Sequence, residues 1–307
     1  MNLKHLEHFL RVAQLGSISR AGDRLNLSQS MLSKELRALE KKMGVKLLVR
    51  HARGMGLTPA GEALKNRAES ILSQIDALSD EVRQADEPVG HVSLGMPATM
   101  SHAVTGPLLH AFLTRYPSVK LRVTEGSGGE LRARLLARDL DLALISAPVA
   151  EPHLIVRPVL VEPCVLVIPP GSRLASRKTV SPSDLAGFPM AVPSSPNYTR
   201  ALIDEIFEKS GLSPNIALET DDSALMIEFV GGGLGYAILP ASAMAPPWPG
   251  LLGIRHVPIK GVTLTRLMAA PAGVAMSLAT QRLSQTICAL IRQKVQDKTL
   301  LGDYVGP

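Results

Sequence analysis

This 307-residue chain has few residues that would staple a fold or hold a metal. Its two cysteines, Cys164 and Cys288, lie far apart, and neither stands in CxxC or zinc-ligand spacing. A disulfide framework and a zinc site are excluded on that count, and two buried, reduced thiols are expected. The eight histidines are scattered. His5 and His8 lack acidic or cysteine partners arranged as ligands, so surface or packing roles are expected and no metal is. No stretch approaches the roughly 18 consecutive apolar residues of a membrane span, and MNLKHLEHFLRV lacks the apolar core of a signal peptide. A membrane partner is excluded, and a cytoplasmic location is expected. GxSxG, HExxH and GxxxxGK are absent. In GHVSLGM, Met96 stands where a phosphate-binding lysine would, and the run Gly231, Gly232, Gly233, Leu234, Gly235 has the wrong spacing for a dinucleotide loop. With no nucleophile motif, metal set or cofactor loop, an enzyme is not expected. Solenoid repeats and low-complexity segments are missing too.

What is there is ordinary in bulk and uneven in placement. A chain this long predicts two or three structural units, and 46% hydrophobic with 20% charged residues suits a soluble protein with real cores. Residues 1–60 hold eleven Lys or Arg against four acidic residues, a net +7, while the other 247 carry 22 basic against 23 acidic side chains, a net −1. The whole positive excess sits at one end, which points to a polyanion there, since Lys and Arg that neutralise phosphates release counterions. A merely solvated basic face has the same composition.

Leu3, Leu6, Leu10 and Ala13, with Phe9 beside them, predict an amphipathic helix ending near Gly16. Ser17 and Ser19 offer caps for a short second helix in which Ala21 and Leu25 face inward. A third runs from Gln29 to Met43 and stops at Gly44. Leu32, Leu36, Leu39 and Met43 form its apolar stripe, and Ser30, Ser33, Lys34, Arg37 and Lys41 fall within an arc of about 100° opposite. Two short helices behind a third with a Ser, Lys and Arg face is an arrangement that enters the major groove. Val45–Val49, then Arg50, His51, Arg53, Gly54 and Gly56, predict a wing whose arginines reach phosphates or a minor groove.

Thr58 and Pro59 open a further helix. Leu64, Ala68, Ile71, Ile75, Leu78 and Val82 space as an a/d seam, read as a coiled-coil dimer rather than as a helix lying on its own core. Beyond Pro88 and Gly90, short apolar runs (92–95, 119–123, 140–145, 165–168, 189–192, 235–239) alternate with helical stretches (105–115, 129–137, 197–210, 222–230). That alternation predicts α/β units with parallel sheets.

The run AGDRLNLSQSMLSKELRALEKKMGVKLLVR (21–50), followed by GMGLTPAGEAL (54–64), closely resembles the DNA-binding region of LysR-type transcriptional regulators. GHVSLGMPATM (90–100), FLTRYPSVKLRVTEG (112–126), LARDLDLALIS (136–146) and FVGGGLGYAILP (229–240) resemble landmarks of that family's effector domain. The resemblance implies a winged helix-turn-helix (1–58), a dimerising linker helix (59–87), and an effector-binding region (88–307). The last comprises two Rossmann-like α/β subdomains of periplasmic-binding-protein type, about 88–161 with 267–300 and about 162–266, joined by crossover strands. It implies a homotetramer built as a dimer of dimers, promoter DNA as partner, and RNA polymerase as a further candidate partner.

The family's base-reading positions correspond here to Gln29, Ser30, Ser33 and Lys34. Ser30 stands where Pro is usual and Lys34 where Arg is common, and Lys lacks the bidentate fork of Arg. Gln29 suits adenine, Lys34 suits guanine or a phosphate, and Arg37, Lys41, Arg50 and Arg53 suit phosphates. The family's effector cleft corresponds to Thr99, Ser101, Ser127, Ser146, Ser195, Asn197 and Ser223. Several lie at predicted helix N-termini, where free N–H groups favour an anion, so a small carboxylate or similar anion is expected. Each of these residues is equally readable as a plain N-cap. The competing function is a small-molecule binding protein without sequence-specific DNA recognition. Trp248, in a proline-rich loop, receives no role.

Overall fold

The computed structural model describes residues 2–51, 54–65, 67–68, 71–72, 75, 87–245, 252–273 and 275–307. They form two compact units, 1–90 with 137–139, and 91–136 with 140–307.

The first unit opens with α1 (Leu3–Leu15), α2 (Ile18–Leu25) and α3 (Gln29–Met43), each bounded by caps the sequence supplies. Asn2, Ser17 and Ser28 accept hydrogen bonds from the first-turn amides, and Gly16, Asn26 and Gly44 close the C-termini in the left-handed conformation. Leu6, Phe9, Leu10, Val12, Ala21, Leu32, Leu36 and Leu39 form the core. Met43 is exposed, unlike the expected stripe, and Leu47, returned by the Gly44 turn, is buried in that core instead. The wing is a hairpin of β1 (Leu48–His51) and β2 (Gly54–Leu57), with Leu48 opposite Leu57. Gly54 has φ of 134° and lies so close to α1 that a Cβ would stand 2.5 Å from the Gly16 carbonyl oxygen, so only glycine fits. Thr58 caps the linker helix by accepting from Gly61 N. The first half of the heptad seam faces this same core: Ala68 is buried in it, and Leu64 and Ile71 pack against it. Leu78 and Val82 lie outside the described residues.

The second unit is a nine-stranded mixed sheet with helices on both faces. Its strands are β3 (Gly90–Met96), β4 (Val119–Glu125), β5 (Leu142–Ser146), β6 (Leu154–Ile168), β7 (Pro189–Val192), β8 (Asn215–Glu219), β9 (Tyr236–Pro240), β10 (Arg255–Pro271) and β11 (Asp303–Tyr304). The main order is β4-β3-β5-β10-β6-β9-β7-β8, with β11 on β6. The helices are α4 (Ala98–Arg115), α5 (Gly128–Leu136), α6 (Tyr198–Glu208), α7 (Ser223–Gly231) and α8 (Leu278–Gln296).

Strand periodicity explains the layers. Leu142 and Leu144 join the core shared by α4 and α8, while Ala143 and Ile145 join the one under α5. Likewise Cys164, Leu166 and Ile168 pack toward α6, and Val165 and Val167 toward α7. β3 runs parallel to β5, and β7 parallel to β8 and β9, as the alternation predicts. The 15-residue β6 and 17-residue β10 are instead antiparallel partners that run through both halves. This mixed sheet departs from a purely parallel one because these two strands carry the crossover between the α/β subdomains. The C-terminal ends of β3, β4 and β5 in one subdomain, and of β7, β8 and β9 in the other, therefore lead into the loops that carry the candidate ligand residues.

Candidate functional site

The outer face of α3 stays open. Gln29, Ser30, Lys34, Arg37 and Lys41 are exposed and Ser33 half-buried, while Leu32, Leu36 and Leu39 point into the core. Glu35 turns the other way, pairing with Nδ1 of the buried His8 on α1. Among the described residues, Lys34, Lys41 and Arg50 have no ion-pair partner, which leaves their charges for a ligand. Arg37 donates from Nε to the Ser33 carbonyl at 3.2 Å, which lays its stem along the helix. Ser28 Oγ lies 3.0 Å from Ser30 Oγ while capping Met31 N, so Ser30 is tied to the helix cap. Arg50 is exposed on β1, and Arg53 lies outside the described residues.

One carboxylate fixes the wing to this face. Glu40 Oε1 accepts from Leu47 N and Leu48 N at 3.0 and 3.3 Å, and Oε2 accepts from Lys46 Nζ at 2.7 Å. Burial acts to raise the Glu40 pKa, but the Lys46 and backbone hydrogen bonds together outweigh it and hold the carboxyl below its ordinary range.

In the second unit the structure joins two of the expected effector residues through three that sequence reasoning missed. Arg266 of β10 is 2% exposed and Glu162 of β6 fully buried; they pair at 2.6 Å. Arg266 also donates from Nη1 to Ser146 Oγ at 3.0 Å, and from Nη2 to Thr99 Oγ1 at 3.0 Å and Ser242 Oγ at 3.3 Å. Ser242, in the short helical turn after β9, donates to both Glu162 oxygens, from N at 2.7 Å and from Oγ at 3.2 Å. The network spans both crossover strands, the ends of β3 and β5, and the end of β9. Its charge balances internally. Cys164, two residues from Glu162, is pushed up to about 12 by burial and then by that carboxylate, against the pull of Arg266, so it stays a thiol.

An accepting hydroxyl oxygen still has its own proton to donate. With Arg266 supplying N–H groups to Thr99 and Ser146, both half-buried hydroxyls keep O–H donors for another group. The remaining expected residues are otherwise engaged. Ser101 Oγ lies 2.9 Å from Thr105 Oγ1 inside α4. Ser127 forms a reciprocal cap with Glu130, whose carboxyl is lowered chiefly by the Ser127 N–H. Asn197 caps α6 and donates to Asp221 at 3.3 Å. Ser223 is buried in the first turn of α7, which Asp222 caps, and Ser195 is exposed. Among the described α-helices of the effector unit, α4 differs from the others in having no side-chain bond at its cap, Pro97, as does the short helical turn after β9 at Pro240. The sequence did signal the missed pair. Glu162 interrupts VLVEPCVLVI and Arg266 interrupts TLTRLMAA, opposite charges inside two otherwise apolar strands.

Comparison with known proteins fits this division. A "Bacterial regulatory helix-turn-helix protein, lysR family" model matches residues 3–62, and a "LysR substrate binding domain" model matches 85–289. The chain is 32% identical over 303 residues to the transcriptional regulator BbuR of Bordetella bronchiseptica, covering 98% of this chain and 88% of that one. It is 27% identical to the nitrogen assimilation regulatory protein nac of Escherichia coli, covering 97% and 98%. Among solved structures, full-length CbnR in complex with its target DNA superposes with a TM-score of 0.69 at 24% identity, covering 95% and 99%. A full-length OxyR variant from Pseudomonas aeruginosa gives 0.70 at 23%, covering 95% of each. These relatives are regulators rather than enzymes. The chain belongs to the LysR family of bacterial transcriptional regulators, with a DNA-binding helix-turn-helix and an effector-binding domain.

Proposed function

We propose that this regulator binds promoter DNA through residues 1–58, pairs with a second copy through the linker helix 59–87, and senses a small anion in the effector region 88–307. The working assembly is a cytoplasmic homotetramer, with RNA polymerase as a further partner. Gln29, Ser33 and Lys34 read base edges, Ser30 supports the start of the reading helix, and Arg37, Lys41, Arg50 and Arg53 hold phosphates. The effector meets Thr99 and Ser146 first, and Ser101, Ser127, Ser195, Asn197 and Ser223 form the surrounding wall.

The observation that carries the anion reading is the α4 N-terminus. It lacks a capping side chain, and Arg266 leaves the hydroxyl protons of Thr99 and Ser146 to donate. Uncapped amides and two outward donors suit the oxygens of a small carboxylate. Because Glu162 neutralises Arg266, such a ligand is held by hydrogen bonds rather than by a free cation. A thermal-shift screen of small carboxylates against their uncharged amides tests this, since a ligand of the native state raises apparent stability. A carboxylate that stabilises wild type and not Thr99→Ala supports the reading; hits confined to amides or cations contradict it.

A further inference from the structure

The first turn of α2 contains a hydroxyl that the helix does not use. Ser17 caps α2, accepting from Arg20 N at 3.4 Å, so Ser19 is not needed as the cap. Its Oγ instead donates to Gln29 Oε1 at 3.2 Å, across the turn to the first residue of α3. We propose that Ser19 is a specificity-determining positioning residue, which tethers the Gln29 carboxamide at the start of the reading helix. This rests on the reading that Gln29 touches a base.

A glutamine reads adenine by accepting from N6–H and donating to N7 at once, so the carboxamide has to be held where both atoms reach the base. An exposed glutamine without a partner samples several rotamers and gives up that freedom when it binds. Ser19 binds the oxygen through one lone pair, leaving the second lone pair and the whole NH2 group for the base. Among the described residues Gln29 has no other side-chain hydrogen-bond partner, and Ser30 is engaged with Ser28. Ser19 and Gln29 are both exposed, so neither side chain is needed for the core.

The test is in vitro selection from a random duplex pool with full-length wild type, S19A, S19T, Q29A and S19A/Q29A, all checked for an unchanged unfolding midpoint. Wild type and S19T prefer adenine at one position. S19A loses roughly two- to tenfold of that preference at that position alone, the range of one net hydrogen bond. Q29A loses about five- to a hundredfold, and the double variant matches Q29A, as coupled residues do. An S19A profile equal to wild type, a uniform weakening on all duplexes, or a change at another base pair overturns the proposal. An unchanged Q29A profile instead removes the assignment of Gln29 as a base reader, and the role of Ser19 with it.

Discussion

The buried charge pair is where single residues matter most. Glu162→Gln leaves Arg266 enclosed without a counter-charge, and a loss of about 3–5 kcal/mol is expected in urea unfolding. The double replacement E162L/R266M is expected to fold within about 1 kcal/mol of wild type or better, because well-packed apolar pairs often match the ion pair they replace. That double variant also removes the donors that orient Thr99 and Ser146, so the proposed response to a carboxylate effector is expected to be lost while stability is kept. Equal stability of the single and double variants would contradict the account. The resemblance brought Thr99 and Ser146 within reach of sequence reading, and the structure joins both to Arg266. Glu162 and Arg266 were signalled only as interruptions, because a polar residue inside a strand reads locally as the end of an apolar run. Only the fold, which lays β6 against β10, brings the two charges together across about a hundred residues.

At the scale of elements, the wing hangs on α3 through Glu40. Its carboxyl sits below the ordinary range when folded, so its contribution is fully present above that range and is lost as pH falls through the lowered value. Glu40→Gln is expected to lower stability at neutral pH by about 1–2 kcal/mol, through loss of charge-assisted bonds to Leu47 and Leu48. It should also flatten the acid limb of the stability profile; an unchanged limb in pH-dependent unfolding would show that another carboxylate governs it. Helices α1 to α3 were legible because Gly16, Ser17, Ser28 and Gly44 punctuate them. β8 and β10 were not. The exposed edge strand β8 carries little apolar pattern, and prolines and charges break the runs of β6 and β10. The heptad seam was legible as a stripe but not in its partner, since the same spacing serves a dimer or a domain core, and Ala68 is buried in the core.

For the whole molecule, the uneven charge is the property that one binding curve can read. A net +7 confined to residues 1–60 belongs to the half that carries α3 and the wing, while the effector-binding half is nearly neutral. Arg50→Ala is therefore expected to weaken binding to all duplexes alike and to reduce the salt slope by about one. A loss confined to one sequence would make Arg50 a base reader instead. The most direct measurement is equilibrium binding of the full-length protein to its selected duplex and to a scrambled duplex between 50 and 200 mM salt. A regulator making about six to ten phosphate contacts loses about 10³–10⁵ in affinity over that range. It also favours the selected duplex by roughly a thousandfold or more. Equal affinity for both duplexes, or binding indifferent to salt, would contradict the assignment of this chain as a sequence-reading regulator.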